Sequence, residues 1–384
     1  MPTDLHAQGN GERLVALREL FGLRLLDLSE ILEVGTSFLS KVERGYKPFP
    51  EDLMLRAASH FDLPRTFFSV VPMHLDEAVQ TFKKNANATV ADEKRISRFH
   101  KEASRVFRTV SEGTAYRTAE FPDENDFDPD DIDGLAAIMR ACMGLGSSGP
   151  VLNSIRCLER YGIGVVDALD EIVMERARQD HVGISMPHAS ASRPLVAVVT
   201  ALEGAEKRFT VMHELGHILM DRGITAPVMR RRDIVEKRAD RFARAMLLPA
   251  SDMKEQISPT LNLHGYLRIK SEFGVRVDMI VKRGEELGLL DAHRAKSLYI
   301  QRSSSGWSRD EPVEVANETP ILLKQGLHKS YGQNPAAAAA SEVGTAAAWI
   351  RRWAALEDDV GTRAEVIDLA EHRSRRNSGH GLRR

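Results

Sequence analysis

Two histidines four residues apart, with a glutamate directly after the first, mark the stretch RFTVMHELGHILMDRG: His213, Glu214 and His217. On a helix, residues four apart share a face, so both imidazoles project to one side, as two ligands of a tetrahedral zinc ion must. Glu214 falls beside that point rather than on it, where a carboxylate can take a proton from water and hand it to a leaving amine. Metal-assisted hydrolysis of an amide is the chemistry these types suit. A third ligand is needed, and a histidine six residues past His217 would supply it, but Gly223 stands there. Nineteen residues past His217, EKRADRFARAMLLP begins with Glu236, and Asp240 follows one turn later on the same face. Glu236 is then the candidate third ligand, and Asp240 the acceptor for the outward N–H of a ligand histidine. His181 and His188, near predicted strands, are candidates to stabilise an oxyanion, set against the plainer reading that each is a surface histidine.

The elements that must hold these residues are legible from apolar periodicity. Val211, Met212, Leu215, Ile218 and Leu219 surround the motif as in a buried helix, and a second helix is expected from about 233 to 248, stopped by Pro249. Upstream, helices are expected over 135–143 and 151–161, and GIGVVDAL, HVGISMP and PLVAVVT read as strands. Helices before and after a few strands make an α+β arrangement. With only Cys142 and Cys157 in the chain, and no C-x-x-C spacing, a metal must be held by histidine and carboxylate; both thiols are expected to be buried.

A different chemistry is written into the first 72 residues. From Glu12 to Phe68, apolar residues at helical spacing are broken every 8 to 12 residues by Gly or Pro, the pattern of four or five short helices. Leu14, Leu17, Leu20, Phe21, Leu25, Leu28, Ile31, Leu32, Val34, Leu39, Val42, Leu53, Ala57 and Phe61 are the expected core. In LLDLSEILEVGTSFLSKVERG two helices meet at Glu33–Gly35 and the second opens with small polar residues. That is helix-turn-helix geometry, in which the second helix enters the major groove and side chains such as Lys41 and Arg44 reach bases or phosphates. Residues 1–75 carry 8 Lys/Arg against 10 Asp/Glu, so any nucleic-acid footprint is local.

Between these regions, DEKRISRFHKEASRVFRTV puts Ile96, Phe99, Ala103, Val106 and Val110 on one stripe and Lys94, Arg98, Lys101, Arg105 and Arg108 on another. The apolar stripe can pack on its own chain or on a second copy; the cations read as a solvated face or as a DNA-backbone or partner contact. FPDENDFDPDDID then carries seven acidic residues between Asp123 and Asp133. It lacks the Gly and distal Glu of a calcium loop and reads as a solvated linker ending in a helix cap.

Two resemblances sharpen these readings. LSKVERGYKPFPEDLMLRAA, within residues 11–70, resembles the XRE family of helix-turn-helix repressors, and that likeness implies Thr36, Ser37 and Lys41 at base edges with Ser40 and Arg44 near phosphates. Glu33 stands where that family usually has Gly in the turn. The run from Arg208-Phe209-Thr210 through His213, Glu214 and His217 to Glu236, Ala239, Asp240, Phe242 and Ala243 resembles the ImmA/IrrE family of zinc metallopeptidases, more loosely over 133–290. The order of parts is similar to XRE regulators with a fused ImmA/IrrE domain, and YIQRSSSGWSRDEPVEV with ETPILLKQ is similar to the tail of such fusions.

The expected fold is therefore mainly α and multidomain. It comprises a λ-repressor-like all-α helix-turn-helix domain over 1–72, a helical and acidic linker over 73–132, an α+β zincin-like domain over 133–300 and a partly helical C-terminal extension over 301–384. The resemblances imply a DNA-binding transcriptional regulator, a repressor, whose peptidase-like domain senses a signal or relieves repression by proteolysis. The alternative is a site-specific metallopeptidase that cuts itself or a partner helix-turn-helix repressor. Zinc is the implied cofactor, with manganese as its substitute, and the implied partners are a double-stranded operator and a second copy of the chain. A composition of 42% hydrophobic and 28% charged residues is that of a soluble chain. No apolar run approaches the roughly 20 residues of a membrane span. MPTDLHAQGNGERL has no signal-peptide pattern, so a cytoplasmic protein without a membrane partner is expected.

Overall fold

The computed structural model describes residues 9–71, 81–84, 89–122, 128, 130–170, 181–187, 193–222 and 232–356. Four short helices open it, α1 (Glu12–Phe21), α2 (Leu25–Ile31), α3 (Thr36–Glu43) and α4 (Glu51–His60), followed by a 3-10 turn, Arg65–Ser69. A strand, β1 (Thr81–Lys84), precedes the long helix α5 (Val90–Gly113). Then come α6 (Ile132–Cys142), α7 (Ser154–Tyr161), β2 (Gly164–Val166), β3 (His181–Ser185) and β4 (Leu195–Val198). Helices α8 (Gly204–Met220), α9 (Arg232–Leu247), α10 (Ala250–Gln256), α11 (Tyr266–Phe273), α12 (Val277–Glu286) and α13 (Ala292–Ser304) follow. The last described elements are α14 (Leu322–Tyr331), α15 (Pro335–Val343) and α16 (Ala347–Trp353). No helix among the described residues is long and apolar enough to cross a membrane.

The sheet runs in the order β1-β3-β4-β2, with β2 and β4 parallel and the other pairs antiparallel. It is a wall between two apolar cores. Successive residues of a strand face opposite sides, and in β4 Leu195 and Ala197 enter one core while Val196 and Val198 enter the other. Burial on both faces explains why PLVAVVT is a continuous apolar run without alternation.

The first core joins α1–α4 and the 3-10 turn to α5, one sheet face and α14–α16. The predicted stripe of α5 is buried throughout, from Ile96 to Val110, against its own chain. Two of its cations depart from the expectation of a solvated or DNA-facing stripe, while Lys94 is exposed as that reading has it. Arg98 pairs with Glu19 of α1 at 2.6 Å, and Arg105 reaches Glu102 and the Gly344 carbonyl. Arg95, which the stripe did not include, bonds the Leu20 carbonyl at the end of α1 and, at 2.5 Å, Asp170. So α5 is the spine of a core rather than a spacer between domains. Expected core residues Phe21, Leu25, Ile31, Val34 and Phe61 pack at its margin, and Phe49, Met54, Phe67 and Phe68 fill places not foreseen.

The C-terminal helices are also more than an appendage. Ala336, Ala339 and Ala340 pack α15 into the first core, and Trp353 donates its indole N–H to the Leu169 carbonyl at 3.1 Å. The segment before them is fixed by buried carboxylates. Glu318 bonds Arg208 and the Ile155 amide, Glu311 bonds Lys270 at 2.9 Å, and Glu159 of α7 accepts from the Ile321 and Leu322 amides at the start of α14. Three smaller expectations are settled locally. Glu33 takes the left-handed conformation at φ 52, where Gly would sit without strain, and Asp131 caps α6 by accepting from the Gly134 amide. Cys157 is buried as expected, but Cys142, the last residue of α6, is exposed.

His100, fully buried in α5, donates Nε2–H to the Leu195 carbonyl at 2.9 Å and so ties the spine to the sheet. Burial, partly offset by that bond, lowers its pKa from 6.5 to about 4. The folded state therefore binds fewer protons than the unfolded chain between those values. Stability is full above about pH 6.5 and falls as the pH drops through this window, by up to roughly 1.4 kcal/mol per unit. Urea unfolding at pH 7 and pH 5 should show this slope, and His100→Gln should flatten it; an identical slope in the variant would remove His100 as its cause.

Candidate metal centre

Helix α8 carries the motif through the second core, and α9 lies against it. Their approach depends on small residues: a Cβ on Gly216 would come within 3.1 Å of Phe242 and 3.2 Å of the Ala239 Cα. This packing aims the two helices' polar side chains at one point. His213 and His217, both fully buried, bring their Nε2 atoms to 3.0 Å, and Glu236 Oε2 stands 3.3 Å from the first and 3.8 Å from the second. Among the described residues these three are the group that could hold a metal ion. The backs of both rings are held. His213 Nδ1–H donates to Asp240 at 2.8 Å, and His217 Nδ1–H donates to Asp221 at 2.6 Å.

With each Nδ1 turned to a carboxylate, the two Nε2 atoms and Glu236 Oε2 converge on one point, which a proton holds together in the free protein and a metal ion could take over. Two zinc–nitrogen bonds of about 2.0–2.1 Å at a tetrahedral angle put the nitrogens about 3.3 Å apart, close to the spacing here. Charge agrees in sign: Asp221, Glu236 and Asp240 bring three carboxylates to the two imidazoles, and Arg238 answers Asp221. Glu236 is opposed by burial but drawn down to about 2 by hydrogen bonds from both histidines. Burial would lower His217, yet Asp221 and Glu236 raise it to about 10. The donor set therefore fits zinc.

Glu214 is fully buried beside this group and turns toward β3. Its Oε2 accepts from Ser185 Oγ–H at 2.6 Å, while its buried Oε1 has no hydrogen-bond partner. Burial pushes its carboxyl up, against the pull of His217 and His213, which suits a group that must hold a proton in transit. Lys207 and Arg208 at the start of α8 are anchors rather than reactive groups. Lys207 pairs with Asp167 at 2.5 Å, and Arg208 bonds Glu318 and the Val151 carbonyl.

Residues 160–284 match a peptidase family model, the IrrE N-terminal-like domain. The match runs from the end of α7 into α12, about a third of the chain, and contains every residue of the candidate centre. No curated protein matches the chain.

Sequence reasoning missed Asp221 and Ser185. Asp221 had a signal, since it follows His217 by four residues on the same helix face and Arg238 of α9 holds its other oxygen at 2.6 Å; Ser185 had none before the strand was placed. His188 lies outside the described residues, and for His181 only the backbone is described, paired with Lys84. The candidate DNA contacts form a separate group on α3: Thr36, Ser37, Lys41 and Arg44 are exposed and Ser40 is half-buried, while Leu39 and Val42 face the core.

Asp221→Asn should lower zinc affinity about tenfold or more, because residues that orient ligand histidines typically contribute 10–100-fold. His213→Ala should lose the ion outright. Zinc titration with a competing chelator checks both, and equal zinc content in wild type and His213→Ala would refute the ligand set.

Proposed function

We propose that the protein is a DNA-binding regulator whose second half carries a zinc centre of the metallopeptidase type. The observation that carries the second part is the convergence of His213, His217 and Glu236 with the unpartnered Oε1 of Glu214 beside them. Zinc bound there would supply Lewis acidity toward a peptide carbonyl and acidify water. Glu214 would take a proton from water at Oε1 and deliver it to the departing amine, with Ser185 fixing its other oxygen. Asp221 and Asp240 hold both histidines in the tautomer that leaves Nε2 free.

The regulatory part rests on α3. Its small polar residues at the N-terminal end are exposed, as close approach to a groove requires, and Lys41 and Arg44 extend from the same helix or its C-cap. Such modules read two half-sites as dimers, so the proposed partners are a double-stranded operator and a second copy of the chain. The metal centre would then either sense a signal or end repression by cutting a helix-turn-helix repressor, this one or another. A primary role as a site-specific peptidase is favoured by Glu214 itself, a buried proton carrier that a purely structural zinc site does not need.

Lys41→Ala together with Arg44→Ala should weaken binding to the chain's own promoter DNA about tenfold or more in a gel shift; unaltered binding would sink the DNA-binding reading. Zinc-loaded protein, alone or with a co-encoded repressor, should yield a discrete fragment that Glu214→Gln does not. If wild type and variant give the same fragments, the centre does not cut.

A further inference from the structure

The strand β3 stands directly over the proton carrier. Ser185 touches Glu214 Oε2, and a Cβ on Gly183 would lie 2.8 Å from Glu214 Oε1 and 2.6 Å from Thr210. One edge of β3 pairs with β4, through Gly183↔Val198, Ile184↔Ala197 and Ser185↔Val196. The other edge is taken by β1, through Thr81↔Ser185, Phe82↔Ile184 and Lys83↔Gly183. Among the described residues the sheet ends there.

We propose that this second edge of β3 is a binding site for an extended peptide, and that the chain's own Thr81–Lys84 fills it. The inference rests on the peptidase reading of the centre. Strand addition holds a peptide by main-chain hydrogen bonds that tolerate many sequences. A chain paired to this edge runs alongside Ser185, which touches Glu214, and Gly183, where an added Cβ would meet it, at the usual strand spacing of about 4.8 Å. The occupant is built for exchange. β1 has four residues, pairs on one side only, and its register slips between Lys83 and Lys84; short, irregular edge pairings are marginal. As a tethered segment it competes at an effective concentration near the millimolar range, which keeps other peptides off until it leaves. It also lies in the stretch that joins α4 to α5, so the occupant belongs to the connection between the α3-bearing helices and the rest of the chain.

The test reads binding, with no turnover, in full-length Glu214→Gln protein. The probe is a fluorescent synthetic peptide copying residues 79–86, followed by anisotropy. Phe82→Pro with Lys83→Pro removes the N–H donors of β1 at both central positions, so one ladder bond is lost whichever residue makes it. Thr81→Cys with Ser185→Cys allows the register pair to be locked by oxidation, which covers the case in which the proline variant does not fold. The proline variant should bind the probe about tenfold or more tighter than the parent. The oxidised cysteine variant should not bind it until reduced. Equal binding by parent, proline and locked proteins would overturn the proposal, as would absence of binding by the proline variant when its circular dichroism is native. Zinc content and fragment formation are measured separately, so loss of the peptidase reading would leave this result standing on its own.

Discussion

Everything around the centre answers to one constraint: three ionisable side chains within two turns of α8, His213, Glu214 and His217, have no access to water. Burying such groups costs several kcal/mol each unless partners meet them. The partners come from three places. Helix α9 brings Glu236 and Asp240, the C-cap of α8 brings Asp221, and β3 brings Ser185. Gly216 and Ala239 keep the two helices close enough for this, and Arg238 answers Asp221 in turn. The helix packing and the electrostatics of the centre are one arrangement, since moving α9 outward would strand charges on α8.

The same logic governs the distant segments. Buried carboxylates at Glu159, Glu311 and Glu318 receive backbone amides and cations from elements far apart in sequence. Glu318 reaches the Arg208 of α8, so the stretch before α14 is tied to the helix of the candidate metal centre. At the other side of the sheet, Asp167 to Asp170 meets Lys207 of α8, Trp353 of α16 and Arg95 of α5, and Arg95 in turn holds the end of α1.

What could be read from the sequence was what repeats. Helices α1–α9 fall where apolar spacing puts them, β2 and β4 fall on continuous apolar runs and β3 within HVGISMP, and His213, His217 and Glu236 meet because helical spacing aims them. What could not be read was long-range pairing of polar residues. Nothing in TFKK alternates or marks a strand, so β1 was invisible until β3 had an edge to offer. Arg95 sits between stripe positions, and its partner Asp170 is 75 residues away. The alanines of α15 carry too little side chain to give a strong periodic signal, though Ala336, Ala339 and Ala340 keep the three-and-four spacing of a buried face. The α3 face reveals its exposure but not its ligand, since small polar residues look alike whether they meet water or a groove.

The closing of the first core by α14–α16 bears on how the chain is made. The apolar faces of α1–α5 emerge early in synthesis, but Leu327, Ala339, Ile350 and Trp353, which complete their burial, are among the last described residues. At roughly 5–20 residues per second a ribosome takes on the order of tens of seconds to cover that distance. Through that interval the N-terminal helices present an unfinished hydrophobic surface to the cell. Their final packing waits on the synthesis of α14–α16 rather than following the local order of the helices.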